Sequence, residues 1–256
     1  MGESLHVWPL SSGSNGNAIL LWSGGSAVLI DDGISTKRLT AQMASAGLTL
    51  ANLEAVVLTH EHSDHVGGLP VLKKRSCARI LASQGTAESL RGIKSYDRLG
   101  NGKVHDVGPF SISSFPIPHD AAEPMGVVLE CRGKRVVSAT DVGHVTPDIM
   151  DVFRGADVAI VESNHDVEML HNGPYPKYLK DRISGPLGHL SNDDGAELAI
   201  HSVAHGASSL FLAHLSESNN LPQLALASTS RALKRAGRNA RVSVAPRGQP
   251  GERIDL

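Results

Sequence analysis

Residues that could bind metal ions are concentrated in one short stretch, THEHSDH at positions 59–65. Four of its side chains are of metal-ligating type: His60, His62, Asp64 and His65. Neutral imidazole and carboxylate groups suit zinc, manganese or iron(II). The stretch directly follows the apolar run Ala55–Leu58, which predicts a buried strand that holds a ligand-bearing loop on a rigid scaffold. This pattern favours metal chemistry over an ordinary polar surface turn.

Two adjacent ions would need more ligands than this loop offers. Three further residues of ligating type follow other apolar runs: His119 after Phe110–Phe115, Asp141 after Arg135–Ala139, and His214 after Ser209–Ala213. Each of them alone is a weak signal. As a set at the ends of separate strands, they predict a composite metal site at one sheet edge.

The remaining sequence alternates short apolar runs with segments of helical periodicity. Strands are predicted at Leu5–Leu10, Ala18–Trp22, Ala27–Ile30, Ala55–Leu58, Arg79–Ala82, Val104–Val107, Phe110–Phe115, Gly126–Cys131, Arg135–Ala139, Val158–Val161, Ser209–Ala213 and Arg241–Val244. Helices are predicted at Ser35–Ala46, Asp166–Leu170, Pro176–Ile183, Ser191–Val203 and Leu221–Ala236, and a polar tail after Val244. The order predicts one α/β domain over residues 1–256, built from sheets flanked by helices.

Composition excludes several classes of protein. Of the 256 residues, 41% are hydrophobic and 20% are charged, so the chain is not disordered as a whole. The net charge of −2 does not fit a strongly basic nucleic-acid coat, although bound metal ions would supply positive charge for a phosphate. Two cysteines exclude a disulfide framework and a cysteine-built zinc ribbon. The start MGESLHVWPL is not that of a signal peptide, and no apolar run approaches ~18 residues, so we expect a cytoplasmic location and no membrane contact.

The ligand pattern resembles that of the metallo-β-lactamase fold superfamily. This resemblance implies an αββα sandwich, two mixed sheets flanked by helices, with two divalent ions (zinc, manganese or iron) at one edge. It implies that one ion is held by His60, His62 and His119, the other by Asp64, His65 and His214, and that Asp141 bridges them together with a hydroxide.

Within the superfamily, several segments over roughly residues 5–244 resemble the YycJ/WalJ-type hydrolases. They are SSGSNGN, DDG, THEHSDHVGG, PHDAAEP, TDVG, ESNHDVEML, GHLSN and AHLSESNN. That subgroup implies phosphodiester cleavage, including 5′-to-3′ exonuclease activity on DNA. The expected substrate is therefore a nucleic acid or a small phosphodiester.

Roles can be assigned to further polar residues on this interpretation. Asp64 is expected to accept the proton of the attacking water, and His189 to act on the leaving oxygen, as in the transfer-RNA 3′-processing relatives that the GHLSN segment resembles. The alternative for His189 is a helix-entry residue that packs or caps. Asp31 is expected to accept a hydrogen bond from a ligand imidazole. Substrate contacts are expected from Ser12, Asn17, Asn164 and His165, although a plain turn explains the first two equally well.

Two other classes of function remain open at this point. The same metal-activated water could attack the carbonyl of a lactone, a thioester or a β-lactam, because a fold does not determine a reaction. Against this, we expect neither an additional carboxy-terminal helical domain nor export to the periplasm. A binding module that had only kept the fold would be expected to lack one of the ligands. The sequence leaves the native metal, the physiological substrate and the oligomeric state open.

Overall fold

The computed structural model describes residues 4–100 and 102–256. The strands are β1 Leu5–Ser11, β2 Ala18–Ser23, β3 Ser26–Ile30, β4 Leu53–Leu58, β5 Arg79–Ala82, β6 Asp97–Arg98, β7 His105–Val107, β8 Phe110–Pro116, β9 Met125–Cys131, β10 Lys134–Ala139, β11 Val158–Glu162, β12 Ser209–Ala213, β13 Arg241–Val244 and β14 Ile254–Asp255. The helices are α1 Thr36–Ser45, α2 Ser63–Val66, α3 Leu69–Leu72, α4 Gln84–Ser89, α5 Pro147–Val152, α6 Val167–Asn172, α7 Lys177–Ile183, α8 Asn192–Ala204 and α9 Pro222–Arg235, with a 3₁₀ turn at Leu50–Asn52.

The described residues form two compact units. The first contains residues 4–116, 121–134 and 246–256, and the second contains residues 117–120 and 135–245. That the chain acts as one hydrolase domain over residues 1–256 stays a prediction.

The first unit is built on a mixed sheet in the order β14-β1-β2-β3-β4-β5-β6. The strands from β1 to β3 are antiparallel, whereas those from β3 to β6 are parallel. Helix α1 packs Leu39 and Met43 into the apolar cluster that covers one face of this sheet. Parallel strands end at the same edge of a sheet, so the residues that follow β3 and β4 are brought together. The antiparallel strands β7, β8 and β9 belong to the same unit.

The second unit contains the parallel strands β10, β11, β12 and β13, paired in that order. Strands β11 and β12 are buried along their whole length, as expected of parallel strands covered on both faces. Part of the cover comes from α9, where Ala225 packs against Leu212 of β12. Because the strands are parallel, the residues that follow β10, β11 and β12 converge at one edge.

Two of the sequence-based expectations are wrong. The ligand-bearing stretch is not entirely a loop, because Ser63–Val66 forms the single turn α2 and carries Asp64 and His65. Arg241–Val244, predicted as the last strand before a polar tail, is not the last: β14 pairs with β1, and Asp255 accepts a 2.6 Å hydrogen bond from His6 Nδ1. Both elements are too short for a periodic pattern, and long-range contacts determine them. The same holds for α3, α4, α5 and β6, which the sequence did not predict.

Candidate metal centre

The first unit places a buried carboxylate against a ligand-type histidine. Asp31, directly after β3, accepts a 2.7 Å hydrogen bond from His65 Nδ1, and both side chains are almost wholly buried. The backbone N–H and the hydroxyl of Thr59 also donate to Asp31. With the proton on Nδ1, the lone pair of His65 lies on Nε2, the tautomer that a metal-binding imidazole needs.

Asn17 holds the segment that carries Asp64. The backbone N–H of Asn17 donates to the carbonyl oxygen of Asp64 at 2.7 Å, and its Nδ2 donates to Asp64 Oδ2 at 3.2 Å. The same Nδ2 lies 3.0 Å from His65 Nε2, as expected if that nitrogen carries a lone pair. Ser12 and Asn17 are both buried, and Asn17 contacts the ligand-bearing stretch directly.

Gly33 makes this close approach possible. The N–H of Gly33 donates to the carbonyl oxygen of Asn17 at 2.8 Å. A Cβ at position 33 would lie 1.7 Å from the carbonyl oxygen of Asp64, a distance that no side chain tolerates. The glycine of the DDG segment is therefore required by packing against α2 and by the turn after β3.

The other histidines of the stretch lie beside His65. The ring of His60 is buried, with its centroid 4.0 Å from that of His65 and 4.5 Å from that of His62. Glu61 points to a different partner, because its Oε1 accepts the backbone N–H of Ala122 at 2.8 Å. The three histidines of the stretch therefore lie side by side, whereas its one glutamate, Glu61, bonds to the backbone of Ala122.

The second unit contains a buried cluster centred on Glu162, the last residue of β11. The donor atoms of Asp141, Glu162, His189 and His214 lie within 4.8 Å of one another. Glu162 Oε1 accepts 2.9 Å hydrogen bonds from both His189 Nδ1 and His214 Nδ1. Backbone N–H groups also donate to this carboxylate, from Asp141, Val142 and Leu190. Glu162 therefore keeps a proton on Nδ1 of both imidazoles and fixes the orientation of both rings.

The charge of Glu162 follows from these contacts. Burial on its own would raise the pKa of this carboxyl group, but the charge of His189 and the hydrogen bonds from His189 and His214 outweigh it and lower the pKa from 4.5 to about 2. The sequence analysis missed Glu162. The available signal was a single charged residue at the end of the apolar run VAIVE.

His119 belongs to the same unit. Its Nδ1 donates to the carbonyl oxygen of Gly188 at 3.2 Å, and its Nε2 lies 3.8 Å from Asp141 Oδ1. Burial lowers the pKa of His119 and the charge of Asp141 opposes this only in part. The ring is therefore held neutral, which is the form that binds a metal ion.

The backbone is strained at three of these positions. Among the described residues other than glycine, positive φ angles occur at Asp31 (59°), Asp141 (61°) and His214 (58°), and at Arg132 in a tight turn. Such angles cost about 1–3 kcal/mol each and concentrate at functional sites. All three residues follow strand ends, where the strain turns a ligand-type side chain toward the sheet edge.

Asn164 and His165 come two and three residues after Glu162, and Asn164 contacts His214 of this cluster. Both side chains are buried. Asn164 Nδ2 donates to the carbonyl oxygen of His214 at 2.9 Å and so supports the strained backbone there. Burial, above all, lowers the pKa of His165. His165 and His189 both line a pocket of about 600 Å³ within the second unit.

The fold and both clusters define a protein class. The β-lactamase superfamily domain model matches residues 26–215, and the chain belongs to this superfamily. A solved structure with the same fold is the metallo-β-lactamase fold protein YhfI from Bacillus subtilis, with a TM-score of 0.75 and 16% identity over 99% of this chain and 100% of that chain. The superfamily and the fold of two mixed sheets flanked by helices, both predicted from the sequence, are confirmed.

Two curated relatives that match most of this chain are named exodeoxyribonucleases. The chain is 35% identical over 224 residues to exodeoxyribonuclease WalJ of Streptococcus pneumoniae serotype 2 (strain D39 / NCTC 7466), covering 84% of this chain and 83% of that protein. It is 36% identical over 239 residues to exodeoxyribonuclease YycJ of Bacillus anthracis, covering 91% of this chain and 90% of that protein. In the part of the chain that the structure describes, no helix is long and apolar enough to cross a membrane.

Proposed function

We propose that this protein is a metal-dependent phosphodiesterase that removes nucleotides from the 5′ end of DNA. The observation that carries the proposal is the pair of Glu162 and His189, joined at 2.9 Å beside Asp141 and His214. A phosphodiester has a poor leaving group, the alkoxide of a sugar, and needs a proton donor at that oxygen. The names of the relatives at 35% and 36% identity support DNA as the substrate.

The residues present fit two divalent ions, with zinc or manganese as our choice. The proposed ligands are the seven that the superfamily pattern assigns: His60, His62, Asp64, His65, His119, Asp141 and His214. In support, His65 and His214 each donate Nδ1–H to a carboxylate, which places the lone pair on Nε2, the tautomer that binds a metal ion. When bound, the ions would lower the pKa of a water molecule and neutralise charge on the phosphate.

Two proton transfers are then assigned to two residues of the chain, Asp64 and His189. The carboxylate of Asp64, which is partly exposed and held by Asn17, accepts the proton of the attacking water. Glu162 accepts Nδ1–H of His189, which orients the ring and stabilises its protonated form, the imidazolium. The imidazolium donates its Nε2–H proton to the leaving oxygen and becomes neutral. Asp31 keeps His65 in its metal-binding tautomer.

Release of the 5′ end of a labelled duplex tests the proposal. Metal-analysed protein is incubated with 5′-labelled double-stranded DNA, beside its His60→Ala variant. The wild type should release labelled mononucleotide and the variant should not. Absence of release from wild-type protein that holds its metal ions would overturn the proposal. Turnover of a lactone or thioester by that protein would instead support the acyl-hydrolase alternative.

A further inference from the structure

A pocket within the second unit adjoins the Glu162–His189 pair. We call it the α6–α7 pocket, since residues of both helices line it, and its volume is about 600 Å³. One side is apolar and includes Val167 and Leu170, and Val167 is 55% exposed although it is aliphatic. The lining also includes His165 and His189. The volume suits a ligand of small-molecule size rather than a length of duplex.

Two lysines and two aspartates line the pocket: Asp181 pairs with Lys177, and Asp194 accepts the hydroxyl of Ser191. Lys180 lines it and is half-buried, with Nζ donating to the carbonyl oxygen of His171 at 2.7 Å. The neighbouring Lys177 forms an ion pair with Asp181 at 2.7 Å, one turn along α7. Among the described residues, no carboxylate forms an ion pair with Lys180. A lysine held in this way is suited to bind an anion such as a phosphate.

One residue of the lining, His165, also has a buried polar atom without a partner among the described residues. The side chain of His165 is only 3% exposed, and its Nδ1 has no hydrogen-bond partner in the part of the chain that the structure describes. A buried polar atom without a partner costs about 1–3 kcal/mol, so proteins keep few of them outside functional sites. A ligand that combines an apolar or aromatic face, a hydrogen-bonding edge and an anion fits this lining. A nucleotide has all three.

We propose that the α6–α7 pocket binds the terminal nucleotide that the reaction releases, a deoxynucleoside 5′-monophosphate. This inference rests on the proposed function. In cleavage from the 5′ end, the oxygen of water bonds to phosphorus, and the bond from phosphorus to the 3′ oxygen of the terminal nucleotide breaks. That 3′ oxygen takes the proton from His189, and the shortened strand keeps the new 5′-phosphate.

The leaving nucleotide must therefore lie on the side of His189, where the pocket is. Its base packs against Val167 and Leu170, His165 contacts the polar edge of the base, and Lys180 binds the 5′-phosphate. Room for a single nucleotide beyond the cleaved bond would make the enzyme an exonuclease.

Binding of the product tests the pocket separately from catalysis. Calorimetry compares deoxyadenosine 5′-monophosphate with deoxyadenosine, on wild-type protein, on Lys180→Ala and on Lys180→Gln. The exposed Lys234→Ala on α9 serves as a matched control. Wild type and control should bind the monophosphate at least about tenfold more tightly than the nucleoside, and both Lys180 variants should lose that difference, because a charge-assisted hydrogen bond is lost.

Two results separate the proposals. Equal binding of nucleotide and nucleoside by the wild type, or unchanged binding by both Lys180 variants, would overturn the pocket, whatever the activity on DNA. Lysine-dependent binding of the monophosphate by a protein that cleaves no DNA would support the pocket and overturn the proposed function. His60→Ala protein from which metal ions have been removed by chelation should also prefer the monophosphate. Loss of the preference in His60→Ala would place the phosphate at the metal ions and contradict the role of Lys180.

Discussion

At the scale of single residues, the site depends on buried carboxylates that are not proposed ligands. Asp31 and Glu162 each accept hydrogen bonds from an imidazole Nδ1–H and from backbone N–H groups. Each therefore fixes the tautomer of a histidine that has a proposed chemical role. The sequence suggested Asp31 because it follows a strand just before the ligand loop. Glu162 was missed, since its partners are 20 or more positions away in sequence.

Removal of the charge of Glu162 should impair both of its histidine partners. In Glu162→Gln, the side chain keeps its shape but no longer attracts Nδ1–H of His189 and His214 with a full charge. We expect kcat on DNA to fall about 10–100-fold, the usual cost of losing a partner behind a ligand. Steady-state kinetics and metal analysis are the measurement, with the exposed Glu197→Gln on α8 as control. Wild-type kcat in Glu162→Gln would show that the carboxylate has only a packing role.

Asp32 should make stability depend on pH. Its side chain is wholly buried, and neither oxygen has a hydrogen-bond partner within the described residues. Burial first, and then the charge of Asp31, raise the pKa of Asp32 from 3.8 to about 7. Since the folded protein holds this proton more tightly than the unfolded chain, the contribution to stability is complete below pH 3.8 and is lost as pH rises through about 7.

Asp32→Asn tests this, because an amide cannot ionise. From about pH 4 to about pH 8, the metal-free wild type should lose free energy of unfolding relative to the variant, at about 1.4 kcal/mol per unit of pKa shift. Urea denaturation at both ends of the range gives the two differences, with the exposed Asp148→Asn as control. A difference between wild type and Asp32→Asn that stays constant with pH would contradict the raised pKa.

At the scale of elements, glycine contacts set how closely α2 packs on the turn after β3. Gly33→Ala should push the carbonyl oxygen of Asp64 away and break its 2.7 Å contact with the N–H of Asn17. We expect a loss of about 1–3 kcal/mol in the free energy of unfolding, as for other overpacked sites, together with weaker metal binding. Gly25→Ala is the matched control, since its Cβ would meet only Asn52 Nδ2, at 3.8 Å. Equal urea midpoints and metal contents for the two variants would refute this account.

Whether an element could be predicted from the sequence depended on its length. Long apolar strands and long periodic helices were predicted to within one or two residues of their ends, as for Ser209–Ala213 and for α8. Local patterns identify such elements because burial and periodicity act within one segment. The single turn Ser63–Val66 and the strand Ile254–Asp255 depend instead on partners distant in sequence.

At the scale of the whole molecule, parallel strands explain why residues far apart in sequence cluster within each unit. Asp141, Glu162 and His214 follow or end three neighbouring strands of the second unit, and Asp31 and Thr59 follow neighbouring strands of the first. The types of the proposed ligands could be predicted, because strand ends of a parallel sheet carry function. The α6–α7 pocket and the contacts of Asn17 could not, because they arise from side chains of separate segments that pack together.

The sharpest test of the Glu162–His189 pair compares two leaving groups. His189→Ala is assayed on duplex DNA and on thymidine 5′-monophosphate p-nitrophenyl ester, whose phenolate departs without a proton. The account predicts a loss of about 10²-fold or more on DNA, typical of a missing general acid, and a much smaller loss on the ester. An equal loss on both substrates, in a variant that retains its metal ions, would contradict proton donation by His189 to the leaving oxygen.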